Sequence, residues 1–381
     1  MSSLQAGLAG WKPYIIISVT VLVSSVIVLL PFLANLTSLW AIQFGETGMQ
    51  AVYRYWDGPL YVIVSKTFYG AESAYYAACG WGGGYFSAHL PFYPFTILAL
   101  SFLGEFQAMI VSTVLFSILS ACIFYKITSE FRIAEYPLLL TLFFCFFPLR
   151  WFLYKNVGAS EPAFLFLCLT TIYFLKKDKL EYSVLFASLA TLTRIFGVLL
   201  FPVVLLSLVV KKQLNLKSFL ISLVIPASFL LLFTYYHFSL GNFYAYFAVN
   251  ESTLHEPFYV LGTFISSHFG ELYAILVIAY ALAAITLWEK GEREMSLFIA
   301  VYLTFITLVS HGDASRYMLP MAPFAIMAFE NVFPKNKIAF FCIILLAAIL
   351  STIYAWTMIP TNLMPLDMFE RIVATIASGG S

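Results

Sequence analysis

Charge is what this sequence has least of. Only 10% of its 381 residues are Asp, Glu, Lys or Arg, against about 25% in soluble domains. The shortage excludes an ordinary soluble globule, a disordered chain and a coiled coil, each of which needs a polar or charged surface. The 20 basic and 19 acidic residues nearly cancel, to a formal net charge of +1, so the basic footprint of a nucleic-acid-binding protein is missing as well. Cysteine is scarce: Cys79, Cys122, Cys145, Cys168 and Cys342 show no C-x-x-C spacing, and all but Cys79 lie in apolar runs. That excludes a disulfide framework and a zinc site of ordinary spacing, and leaves small buried hydrophobes. Internal repeats and heptads are absent too. What the chain has in abundance is hydrophobic residues, 62% of the total, with 39 Phe and 24 Tyr among them. Lipid-facing and interfacial surfaces tolerate that composition and water does not.

A bilayer-spanning helix needs about 20 mostly apolar residues. Runs of that kind cover 14–34, 107–127, 136–153, 159–175, 217–236, 271–288, 295–309, 320–333 and 338–357. The first is too long for the core of a cleaved leader and reads as a signal anchor. The stretch 182–210 would make about 43 Å of helix, more than the roughly 30 Å hydrocarbon core. It is also interrupted by Arg194 and Gly197, and so is expected to be two short helices joined near Thr193–Gly197. Charge placement supports this. With the N-terminus inside, Lys126, Lys176, Lys177, Lys179, Lys211, Lys212, Lys290 and Lys335 all fall on the cytoplasmic side only if 182–210 crosses twice. The apolar stretch 88–104 must then lie in the interface or re-enter, because a full crossing would flip every later basic cluster outward. The expected fold class is therefore an all-α polytopic membrane protein. It has about 11 transmembrane helices in one domain over 1–381, with an outer C-terminus ending in a flexible Ser-Gly-Gly-Ser tail. Two long outer loops, 35–106 and 237–270, are the places to look for function, since long loops in compact folds are functional or disordered. The first, rich in Trp, Tyr and Gly, is too aromatic for disorder.

Two ionisable residues of the first loop stand out, Asp57 in Arg54-Tyr55-Trp56-Asp57-Gly58-Pro59 and His89 in His89-Leu90-Pro91-Phe92-Tyr93-Pro94. Among aromatics, low dielectric is expected to raise the Asp57 pKa and make it a better base. The alternatives are a turn with Gly58-Pro59 or a pair with Arg54. Gly80-Trp81-Gly82-Gly83-Gly84 lacks the Lys and Ser/Thr of a phosphate loop and reads as a loop tip. Arg194, inside an apolar run, should face a cavity or a partner, either a phosphate or a carboxylate such as Glu161. Arg316, in His311-Gly312-Asp313-Ala314-Ser315-Arg316-Tyr317, sits at the interface as a ligand contact or a snorkelling anchor. Glu251, His255 and Glu256 match no metal spacing and read as solvated loop charge. The sequons at Asn35 and Asn250 are too short a match to carry weight.

These residues, in this order, resemble a family. One span, then Trp56-Asp57-Gly58, then the His89–Pro94 segment, then Thr193-Arg194-Ile195-Phe196-Gly197 and Arg316-Tyr317-Met318-Leu319-Pro320 resemble the GT-C superfamily of polyprenyl-phosphate-sugar glycosyltransferases. Within it, the chain looks most like the PIG-V type, the second mannosyltransferase of glycosylphosphatidylinositol assembly. It departs from that type in Pro59 after the glycine, in His89-Leu90 where an aromatic pair stands, and in its shorter length.

The resemblance implies a polyprenyl- or dolichyl-phosphate sugar, mannose above all, as donor, and a glycolipid, a glycosylphosphatidylinositol precursor or a protein as acceptor. It implies inversion at the anomeric carbon, Asp57 as base, and Arg194 and Arg316 as phosphate ligands. His89 or His311 would orient a substrate, and Arg54, Trp56, Tyr93 and Tyr317 would complete the site. The first loop would roof an active site on the extracytoplasmic or lumenal face of a prokaryotic plasma membrane or the endoplasmic reticulum. A metal is not expected: there is no D-x-D, and Glu72 and Asp313 reach Asp57 only through the fold. Mg²⁺ or Mn²⁺, which want several oxygen ligands, are the alternative. Two other classes remain open, a transporter or flippase of lipid-linked sugars and a non-catalytic subunit of a membrane complex. The broken 182–210 stretch suits a transporter, and the lack of repeats does not.

Overall fold

The computed structural model describes residues 3–45, 47–70, 73–251, 270–306 and 314–379. They form an all-helical membrane protein whose only strands among the described residues are the short antiparallel pair Ser38–Leu39 and Ile42–Gln43. The helices in chain order are α1 (Ser3–Leu33), α2 (Met49–Tyr53), α3 (Gly58–Thr67), α4 (Ala74–Cys79), α5 (Phe92–Ala99), α6 (Glu105–Glu130), α7 (Pro137–Phe146), α8 (Leu149–Tyr154), α9 (Glu161–Lys176) and α10 (Leu180–Thr191). They continue with α11 (Leu200–Val210), α12 (Leu216–Ser222), α13 (Val224–Leu240), α14 (Ala245–Val249), α15 (Gly270–Glu289), α16 (Arg293–Ile306), α17 (Ala314–Met318), α18 (Ala322–Ala328), α19 (Lys337–Met358) and α20 (Leu366–Ala377).

Among the described residues, five stretches are long and apolar enough to cross a bilayer: Gly10–Leu33, Glu105–Glu130, Leu216–Leu240, Gly270–Glu289 and Lys337–Thr361. They carry many exposed Leu, Ile and Val side chains, as lipid-facing helices do. The helices between them are shorter and more buried. The stretch 182–210 is a hairpin. α10 and α11 run in opposite directions, and Lys211 Nζ donates to Leu175 O at 2.7 Å, which puts both lysine clusters at one end. Arg194 is then at the other end, in the turn between them. At 12 and 11 residues, α10 and α11 reach only about 18 and 16 Å, well short of the roughly 30 Å hydrocarbon core. Arg194 sits in the turn between α10 and the 3₁₀ stretch Ile195–Leu199 that leads into α11.

Two expected spans differ in detail. The run 136–153 is not one helix, because Pro148 has no amide to continue α7 and the chain restarts as α8. The carbonyls left at the end of α7 are taken by side chains: Lys155 Nζ donates to Cys145 O at 2.9 Å and Ser351 Oγ to Phe146 O at 2.5 Å. The run 320–333 divides into a 3₁₀ turn, α18 and a second 3₁₀ turn.

The first loop does not cross the membrane. Its helices α2 to α5 have 5, 10, 6 and 8 residues, and α5 at about 12 Å is far too short to span. Irregular backbone in an apolar setting must find partners for its polar groups. Tyrosine hydroxyls provide them here: Tyr69 donates to His89 O at 2.6 Å, Tyr235 to Phe68 O at 2.6 Å and Tyr236 to Ser87 O at 3.0 Å. The C-terminal segment closes the same side. Leu363 forms a bridge with Tyr55, Trp56 N donates to Asn362 O, and Met364 N donates to Arg54 O. Beyond it α20, an amphipathic helix, buries Phe369 and Ile372 against the loop.

Two glycines set the site's dimensions. A Cβ at Gly158 would stand 2.8 Å from Gly58 Cα and 2.3 Å from Met109 Sδ, so the backbone before α9 rests directly on the start of α3. Gly158→Ala should force these segments apart and lower the thermal midpoint of the purified protein by several degrees, following an overpacking cost of about 1–3 kcal/mol. An unchanged midpoint would contradict that contact.

Candidate active site

The Gly58–Gly158 contact brings the residues next to each glycine together. Asp57 is the N-cap of α3 in helical conformation (φ −75°, ψ −21°), and its side chain makes no capping bond. The turn is closed by backbone instead, with Gly58 N donating to Tyr55 O at 2.8 Å. The carboxylate is thus left for long-range contacts. Glu161 opens α9, where the helix N-terminus favours an acidic side chain. Arg194 caps the 3₁₀ turn Ile195–Leu199 in extended conformation, and Arg316 lies on α17.

These four side chains form a ladder of alternating charge. Arg194 Nη1 donates to Glu161 Oε1 at 2.7 Å, Arg316 Nε donates to the same oxygen, and Arg316 Nη2 donates to Asp57 Oδ2 at 2.5 Å. Side-chain exposure runs from 22% at Asp57 to 4% at Glu161, so Asp57 is the accessible end and Glu161 the buried pivot. Each guanidinium also lies over a ring, Arg194 at 5.8 Å from Tyr317 and Arg316 at 4.9 Å from Tyr154. Tyr61, one helical turn after Asp57, shares a 2.8 Å hydrogen bond with Ser160 Oγ, and that oxygen also accepts from Arg194 at 3.4 Å. Glu161 Oε2 has no hydrogen-bond partner among the described residues.

The ladder faces a cavity of about 750 Å³, within the range of small-molecule sites. Asp57, Trp56, His89, Arg194, Arg316 and Tyr317, drawn from four distant parts of the sequence, all line it. Arg54 and Tyr93 do not. Arg54 is buried behind the loop with Glu370 as its charged neighbour. Tyr93 is fully buried, bonded to Thr113 and Met109 O, and supports the Tyr61 ring from behind at 5.0 Å. His311, Asp313, Glu72, His255 and Glu256 lie outside the described residues, whereas Glu251 is described and exposed. Tyr61, Tyr85, Arg150 and Asn362 also line the cavity, and the sequence reading missed them. Of these only Tyr61 had a local signal, its i+4 spacing from Asp57.

The electrostatics correct one expectation. Burial alone would raise the Asp57 carboxyl, but Arg316 beside it, helped by His89 and Arg194, holds it below the usual carboxylate range. Asp57 rests as a paired, weakly basic carboxylate. His89 goes the other way: burial lowers its imidazole to about 4 although Asp57 pulls it upward, so it is neutral at pH 7. Asp57 and Glu161 are brought together, but a guanidinium stands between them where a cation would have to sit. Among the described residues, no group of three or more His, Cys, Asp or Glu side chains could hold a metal ion.

The architecture is that of an all-α polytopic membrane protein. It is similar to the solved crystal structure of ArnT from Cupriavidus metallidurans bound to undecaprenyl phosphate, with a TM-score of 0.50 and 10% sequence identity over 97% of this chain and 79% of that one. No family model matches the sequence, and no curated protein matches it.

The His89 environment has a measurable consequence. As the pH falls from about 6.5 to about 4, the unfolded chain takes up a proton at this residue and the folded chain does not, so stability is lost across that window. Asp57, lowered by Arg316, contributes its loss only below its ordinary pKa of about 3.9. Thermal midpoints of wild type should therefore fall between pH 6.5 and 4.5 more steeply than those of His89→Asn, by up to one proton's slope of about 1.4 kcal/mol per pH unit. Parallel curves would contradict a neutral buried imidazole.

Proposed function

We propose that this chain is an inverting glycosyltransferase. It moves a hexosyl residue, read as mannosyl, from a polyprenyl- or dolichyl-phosphate carrier to a glycolipid or glycoprotein acceptor. The observation that carries the reading is the contact between Asp57 and Arg316 at the edge of the cavity, with Arg194 linked through Glu161. A base and two phosphate-binding cations are what such a transfer requires at one place. The shared fold with a protein crystallised with undecaprenyl phosphate adds support.

In this reading the donor phosphate takes Arg316 and Arg194 as ligands and competes with Asp57 for the Arg316 guanidinium. The planar guanidinium fork suits bidentate binding of two phosphate oxygens. Once Arg316 turns to the phosphate, Asp57 loses the charge that depressed its basicity. The acceptor hydroxyl oxygen then bonds to the anomeric carbon as the bond from that carbon to the phosphate oxygen breaks. Asp57 takes the hydroxyl proton, the electron pair of the broken bond goes to the phosphate, and configuration inverts. The arginines stabilise the phosphate's growing charge, a preorganised contribution of about 2.7–4 kcal/mol per donor group in comparable sites. The two guanidinium groups stand in for a divalent cation, and the reaction is read as metal-free. The catalytic face is the extracytoplasmic or lumenal one on the charge distribution of the loops, in a prokaryotic plasma membrane or the endoplasmic reticulum.

The test is incubation of purified protein with radiolabelled polyprenyl-phosphate mannose and a panel of glycolipid and peptide acceptors. Label should move to an acceptor, and Asp57→Asn should cut the rate by about 10²–10⁴-fold, the usual contribution of a positioned base. Label that stays on the carrier across the panel would overturn the reading in favour of a transporter or a scaffold, and transfer unaffected by Asp57→Asn would overturn Asp57 as the base.

A further inference from the structure

The cavity has two chemically different walls, and Asp57 stands between them. On one side the charges follow in order, Arg316, Glu161, Arg194. On the other side the neighbours are aromatic. His89 and Tyr85 lie within electrostatic reach of Asp57. The Tyr85 ring is 6.0 Å from His89 and 4.3 Å from Trp81, and Trp81 is 6.2 Å from Trp56. Trp56, Tyr85 and His89 all line the cavity.

One polar atom on this wall is left over. His89 is only 6% exposed, and its Nδ1 has no hydrogen-bond partner among the described residues. A buried polar group without a partner costs about 1–3 kcal/mol, so an unfilled position here points to a ligand. The imidazole is neutral because burial lowers it to about 4, and a neutral ring offers one N–H and one lone pair. A hydroxyl, which both donates and accepts, can pair with Nδ1 in either tautomer, whereas an anion is already served by the arginine side. Flat aromatic faces with a neutral hydrogen-bonding group at their edge match a saccharide ring, whose C–H face is apolar and whose rim carries hydroxyls. The electron-rich ring face attracts those partly positive hydrogens. A serine or threonine hydroxyl on a peptide would leave the aromatic faces uncovered.

We propose that the Trp56–Tyr85–His89 wall is the acceptor subsite and that it takes a saccharide ring, so that the acceptor already carries a glycan and is not a bare peptide. This rests on the transferase reading for its meaning. The sugar ring stacks on Trp56 and Tyr85, a ring hydroxyl pairs with His89, and the hydroxyl that attacks points at Asp57.

Full-length protein in lipid nanodiscs would be titrated with methyl α-mannopyranoside and with chitobiose, followed by saturation-transfer NMR, and separately with polyprenyl phosphate. Saccharide binding is expected in wild type, about tenfold weaker in Trp56→Ala and in Tyr85→Ala, and within about threefold of wild type in Trp56→Phe. Polyprenyl phosphate affinity should stay within about twofold in all of them, which also certifies the fold of each variant. In transfer assays the same alanine variants should raise the acceptor KM about tenfold and leave the donor KM alone. Equal saccharide binding in wild type and both alanine variants, no saccharide binding by a protein that binds polyprenyl phosphate, or transfer to peptides in preference to glycolipids would each overturn the assignment. Saccharide binding that depends on Trp56 in a protein with no transfer activity would sink the transferase reading and leave the wall a saccharide site.

Discussion

Arg316 donates to two carboxylates at once, Glu161 through Nε and Asp57 through Nη2, and the arrangement of the cavity depends on that sharing. Buried charges are tolerated only in pairs. Glu161, 4% exposed, needs both arginines, and both arginines need it. Asp57 is the most exposed of the four, at 22%. In the proposed reaction an arriving phosphate would meet its least resistance there, since displacing Asp57 breaks the more exposed contact and leaves the buried Glu161 pairs intact. In the proposed transfer, binding of the anion and release of the base would become one event, so that no active base stands in an empty site.

The rest of the molecule serves this geometry. Backbone contact between Gly58 and Gly158 sets the distance between Asp57 and Glu161. The turn after α10 places Arg194 against Glu161. Tyrosine hydroxyls from α13 hold the irregular first loop over the cavity, and the C-terminal segment pairs with the residues just before Asp57. Each of these contacts joins parts of the chain far apart in sequence, so the site can form only when the helices have packed.

That distance explains what could be read beforehand. The hairpin at 182–210 was legible because its length, Arg194 and the flanking lysines are local features. So was the split character of the first loop, from the charge balance of everything after it. The break at Phe147-Pro148 was available as a proline in an apolar run and was underweighted. The helix Leu366–Ala377 carries Leu366, Phe369, Ile372, Val373 and Ile376 on one face, but the set is short and follows the last span. The pairing of Asp57 with Arg316, 259 residues away, leaves no local trace, and it reversed the expected basicity of the carboxylate. The Arg194–Glu161 pair was foreseen as an alternative to a phosphate contact. In the fold Arg194 makes that pair and also lines the cavity.

The most direct measurement is the affinity of polyprenyl phosphate for wild type, Asp57→Asn and Arg316→Ala. If the phosphate and Asp57 compete for one guanidinium, Asp57→Asn should bind the lipid phosphate about tenfold more tightly, the equivalent of about 1.4 kcal/mol, and Arg316→Ala more weakly. Weaker binding in Asp57→Asn, or binding in Arg316→Ala equal to wild type, would contradict the exchange on which the site is built.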